Sequence, residues 1–186
     1  ANIRQLNPVL EQISKREGWE PGNLVAFWER WAAVHRRGEQ PAAEREALIA
    51  LVQMSREVDP RPLEIEARGL LRPAEIAEPK NGITTAERCY HGAARRLEKL
   101  AADRLSEMQD PENARQQPAD AISPLQQLEQ IYTRLEDWSR AIRVGQKLLQ
   151  LRAQVLVDDD PALYRTVSAI GALHAKAARS ADGNRD

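Results

Sequence analysis

Glu87, Cys89, His91 and Arg95 bring the chain's most reactive side-chain types together within one short stretch. On a helix Glu87 and His91, four apart, share a face and could form half of a metal site or an acid–base pair. Cys89, two positions from His91, points elsewhere. The patterns that complete such sites are missing. There is no Glu-x-x-His of the kind a di-iron bundle needs twice, no His-Glu-x-x-His and no Cys-x-x-Cys. His91 therefore reads as a partly exposed helix residue near acidic neighbours, and no metal or cofactor is expected. Cys89 lies a few residues after a helix start, where the dipole favours a thiolate. Beside Tyr90 and close to an apolar stripe, it reads better as a buried structural thiol. No Gly-x-Ser-x-Gly and no glycine-rich phosphate loop occurs. An enzyme built on Glu87, His91 and Arg95 would need polar groups converging from other helices, so the chain is read as non-catalytic.

The aromatic and charged residues point to surfaces rather than to reactions. Trp19, Trp28 and Trp31 crowd the N-terminal region, and Trp28 and Trp31 share a helix face. They would build the core of an N-terminal lobe, or else anchor a partner, since tryptophan is enriched at binding hot spots. The pairs Arg36-Arg37 and Arg95-Arg96 are interspersed with Glu39, Glu44, Glu98 and Asp103, which makes solvated mixed faces. Asp158, Asp159 and Asp160, before Pro161, would cap a final helix and favour its dipole. With 27 basic and 28 acidic residues the net charge is -1, so no global field draws nucleic acid or an anionic membrane. Arginine outnumbers lysine and alanine is abundant, the usage of a GC-rich genome, which points to a bacterial source. No apolar run reaches the roughly 18 residues of a membrane span, and no leader is expected. One cysteine excludes an internal disulfide framework. Cytoplasmic residence is expected.

The elements that must carry these residues are helical throughout. Ile3, Leu6, Leu10 and Ile13 recur at helical spacing over residues 3–17. Pro21 opens a second helix with Leu24, Phe27, Trp28, Trp31 and Val34 as its buried face, ending at Gly38. A third runs over residues 41–58, with Leu48, Leu51, Val52 and Ser55 on one side. Residues 60–83, rich in Pro, Asn and Gly, read as a linker, within which 63–71 could be helical or extended. A long helix from Thr84 or Thr85 to near Met108 carries Ala86, Tyr90, Ala93, Leu97, Leu100 and Leu105. Residues 110–120 read as a connector. The domains are thus an N-terminal lobe (1–59), the linker (60–83) and a C-terminal lobe (84–186).

The clearest pattern is a hairpin over residues 125–151. Leu125, Leu128, Ile131, Tyr132 and Leu135 form one stripe; Ala141, Ile142, Val144, Gly145, Leu148 and Leu149 form another. Residues 136–139 leave room only for a tight turn. Ser123 and Pro124 suit an N-cap and first helical position. Ala141 and Gly145 would let the second helix approach the first. With Leu128, Tyr132, Asp137, Trp138, Ala141 and Leu148 in these places, the hairpin resembles a tetratricopeptide repeat, although Glu129 stands where that family usually has Gly and Ala153 where it often has Pro. Leu163, Val167, Ile170 and Leu173 keep the register of a following first helix.

No strand-like alternation of convincing length occurs and aromatic and β-branched residues are sparse, so the expected fold is all-α, a helical bundle or short solenoid with a tetratricopeptide-like antiparallel hairpin near its C-terminal end. The resemblance implies a module that binds a peptide or helix of another protein. Gln127, Arg134, Arg143 and Lys147, exposed neighbours of the hairpin, are the expected contacts. The alternative is an accessory subunit or assembly factor of a larger bacterial complex, docking through Trp28 and Trp31.

Overall fold

Pro21, Pro41 and Pro161 each stand at the first position of a helix, where the missing N–H has no intrahelical partner to lose. The structure, a computed structural model, describes Gln12 and residues 20–77, 83–108, 119–156 and 160–183. Every regular element among them is helical: α1 (Pro21–Arg37), α2 (Pro41–Met54), α3 (Leu63–Ala77), α4 (Ile83–Glu107), α5 (Ala119–Arg134), α6 (Trp138–Val155) and α7 (Pro161–Gly183), with a 3-10 turn at Ser55–Glu57. The fold is all-α. The helix expected over 3–17, together with Trp19, lies outside the described residues except for Gln12, and so does most of the expected connector at 110–120. The chain divides into two compact units, residues 1–93 and 94–186.

In the first unit α1 packs on α2 and α2 on α3. Leu24, Val25 and Trp28 of α1 meet Ala47, Leu48, Leu51 and Val52 of α2 in one core. Val34, expected on the buried face, is instead 56 % exposed. It sits in the last turn, past the point where Ala32 closes the core. Within the expected linker over 60–83, the segment read as helical or extended is helical and longer than expected: α3 spans fifteen residues. Pro73 lies inside it, at a typical cost of about 3 kcal/mol, but Glu66, Ala67 and Ala74 are fully buried. That burial against α2 outweighs the break. Gly69 allows the close approach: a Cβ there would stand 2.8 Å from Val52 Cγ2 and 2.9 Å from Leu51 Cδ2.

Among the described residues of this unit two carboxylates are buried, and arginines from the flanking segments reach both. Glu44 of α2 is 2 % exposed and accepts from Arg36 Nε of α1 at 2.6 Å and Arg72 Nε of α3 at 3.1 Å. Glu66 is fully buried and accepts two hydrogen bonds from Arg61, the one from Nη2 at 3.0 Å. A charge taken from water is tolerated only when so paired.

In the second unit α5 packs on α6 and α6 on α7. The start of α5 corrects the expected cap at Ser123: the helix begins at Ala119, and the buried Pro124 lies inside it. Ala121, buried one turn earlier, extends the apolar stripe of Leu125 and Leu128 backwards and holds that turn helical. Gly145 also departs from expectation. A Cβ there would meet Ile170 Cγ1 of α7 at 3.0 Å, so its smallness serves the contact of α6 with α7 rather than mainly that of α6 with α5. Along α7, Thr166 and Leu173 are buried, whereas Val167 is 54 % exposed. The buried face runs through 163, 166, 170 and 173, and Val167 falls one position to its side. Asp160 caps this helix as expected, its Oδ1 accepting from Ala162 N at 2.7 Å.

Candidate functional site

The sharp reversal before α6 aims its polar face. Glu136 takes a left-handed conformation (φ 55°). Asp137 N donates to Tyr132 O at 2.9 Å, and Asp137 Oδ1 accepts from Arg140 N at 3.0 Å. This is an N-cap bond, satisfying a donor left over by the first turn. With the start of α6 fixed in this way, Ala141, Gly145 and Leu148 are buried. Arg140, Arg143 and Lys147, at steps of three and four, share the neighbouring face.

That face borders a groove of about 270 Å³ within the second unit. Leu125 and Leu128 of α5 and Val144 of α6 supply apolar surface. Ala101, Ala102 and Leu105 of α4 form the opposite wall. Small side chains at 101 and 102 keep it open. Arg140, Arg143 and Lys147 line the α6 side, all exposed to solvent.

Tyr132 and Glu98 close the polar end. Tyr132 is 1 % exposed, and its hydroxyl donates a short hydrogen bond to Glu98 Oε1. Burial above all, then that bond and the carboxylate's charge, pushes the phenol up to about 12, with Arg140 opposing. The hydroxyl stays protonated across the physiological range, and Glu98 is occupied by it. The Arg140 guanidinium lies 5.6 Å from the centre of the Tyr132 ring and 3.4 Å from Asp137 Oδ2. Among the described residues Arg143 and Lys147 have no ion-pair partner. The lining therefore offers unneutralised cations beside apolar surface.

Of the residues expected to contact a partner, Arg143 and Lys147 meet at this groove. Arg134 is exposed but lies outside it, and Gln127 is half-buried, its Oε1 enclosed without a hydrogen-bond partner among the described residues. Trp28 is corrected: at 1 % exposure it is core, pinned edge-on by Phe27 at 5.3 Å, and cannot serve as a docking anchor. Trp31 is half-buried and stacks on Phe27 at 5.8 Å. Arg140, Glu98 and the Tyr132 hydroxyl are groove residues that sequence reasoning did not single out. Arg140 was within reach, since it continues the spacing of Arg143 and Lys147 by one step.

The other candidate chemistry does not converge. His91 and Arg95 are exposed and Glu87 half-buried. Among the described residues no three His, Cys, Asp or Glu side chains stand close enough to hold a metal ion. Cys89 is half-buried, and burial pushes its thiol up, against the pull of Arg45 and Arg88. That direction disfavours a reactive thiolate. No known family model matches the chain, and no curated protein is significantly similar to it.

Proposed function

We propose that this chain is a non-catalytic protein-interaction module, an adaptor of tetratricopeptide-like character that takes a peptide or helix of a partner protein into the groove beside α6. The observation that supports this reading most is the groove's combination of an apolar floor with exposed Arg143 and Lys147, which have no ion-pair partner among the described residues. Its size supports it as well. At about 270 Å³ it lies at the small end of ligand sites, which span about 300–1,000 Å³. It suits anchoring side chains of a longer ligand that lies across the surface. Residence in a bacterial cytoplasm is part of the proposal and rests on composition. Among the described residues no helix is long and apolar enough to cross a membrane.

The test is affinity capture with the wild type and with Ala102→Trp, which fills the groove from an exposed wall position. A partner recovered by the wild type and lost on filling supports the reading. Undiminished recovery on the filled protein moves the interface elsewhere.

A further inference from the structure

We infer that the occupant of the groove is an acidic protein segment, with carboxylates facing the Arg140–Arg143–Lys147 row and an apolar side chain seated between Leu125, Leu128 and Ala102. This rests on the reading of the groove as a peptide site and adds the chemistry of the ligand. Three observations carry it.

The first is charge. Three cations line the groove against one carboxylate, Glu98, in a chain whose net charge is -1. Arg140 is paired with Asp137 at 3.4 Å, and Glu98 accepts from Tyr132, which leaves Arg143 and Lys147 the two cations of the lining with no ion-pair partner among the described residues. Both are exposed at the groove.

The second is spacing. Residues 143 and 147 are separated by about 6 Å along the helix axis, at 1.5 Å per residue. Carboxylates at i and i+4 of a helix match this repeat, as do those at i and i+2 of an extended strand, about 6.6–6.8 Å apart. A partner therefore needs only two acidic residues in register.

The third is the apolar floor directly beside the cations. A purely polar polyanion would leave Leu125, Leu128 and Val144 uncovered. A segment alternating acidic and apolar positions covers both. Each good contact removes apolar area from water at about 25 cal/mol per Å², while the charges steer and orient the encounter.

The experiment is selection of phage-displayed random peptides on the folded protein, followed by fluorescence anisotropy with the enriched sequences as synthetic probes. Three proteins are compared: wild type, Ala102→Trp, and Arg143→Glu/Lys147→Glu, each checked for unchanged helicity. Enriched peptides should combine Asp or Glu with Leu, Ile, Phe or Trp. Ala102→Trp should abolish their binding, and the double reversal should weaken it on the order of tenfold, with added salt weakening the wild-type complex. Enriched neutral or basic peptides that Ala102→Trp still excludes would overturn the acidic assignment and leave the groove reading standing. Absence of any Ala102→Trp-sensitive peptide would overturn both. Displacement of the selected peptides by polyuridylate would also overturn the inference, since the row would then be a general polyanion surface.

Discussion

In the first unit Arg36 and Arg72 converge on the buried Glu44, and Arg61 holds the buried Glu66. In the second unit Arg143 and Lys147 stand at the edge of an apolar groove with no ion-pair partner among the described residues. The difference lies in what is buried nearby. A carboxylate inside a helix interface must be neutralised, and an arginine with its planar fork is the suitable counter-ion. In the groove of the second unit the one lining carboxylate, Glu98, accepts from the Tyr132 phenol, and Arg143 and Lys147 remain at the solvent-exposed edge. The arginines of the first unit that meet buried acids are thus committed to its core, whereas Arg143 and Lys147 are not.

The largest expected effect breaks the first half of this contrast. Arg36→Ala/Arg72→Ala should destabilise the first unit by about 3–5 kcal/mol in urea unfolding, because it strands a buried carboxylate. Glu44→Met should cost far less, within about 1.5 kcal/mol, since both arginines are partly exposed and regain water. Equal costs for the two variants would show that the pairing, rather than the burial of the acid, is what matters.

The next concerns the acid of the second unit. The Tyr132 phenol is raised from 10.0 to about 12. A raised folded value gives stability that is complete below pH 10 and is lost as pH climbs through about 12. The wild type should therefore lose about 2 kcal/mol more than Tyr132→Phe over that window, read as urea midpoints. Parallel losses would mean that the phenol is not held in its buried site beside Glu98.

Glycines at close and open contacts sharpen the description of the packing. Gly69→Ala should destabilise by about 1–2 kcal/mol, as strain against Val52 and Leu51 exceeds the gain in helix propensity. Gly171, with nothing within 4 Å of an added Cβ, should stabilise by about 0.5–1 kcal/mol on the same change. The smallest stability effect belongs to Arg143→Glu/Lys147→Glu, within about 0.5 kcal/mol. These positions would then be free of structural duty, as residues facing a partner should be.

Helix starts were legible where proline could occupy a first position, at Pro21, Pro41 and Pro161. The same residue misled at Pro73 and Pro124, because whether an internal proline breaks a helix depends on what its neighbours bury. The close contact of Gly69 with Val52 left no local signature. Val34 and Val167 show the limit of periodicity: each falls near an apolar stripe, yet one lies beyond the end of the facing core and the other just beside the buried face. At the groove, Arg143 and Lys147 were readable from the hairpin's own repeat. The Glu98–Tyr132 bond joins residues 34 apart, on different helices, and no spacing rule connects them.

The central claim is that the face of α6 beside α4 and α5 is where a partner binds. The most direct test is a methyl and amide NMR titration of the intact chain with a selected acidic peptide. The account predicts shifts confined to Ala101, Ala102, Leu105, Leu125, Leu128 and Val144 and the α6 amides around Arg143. Shifts centred on Phe27 and Trp31, or spread without focus over both units, would contradict it.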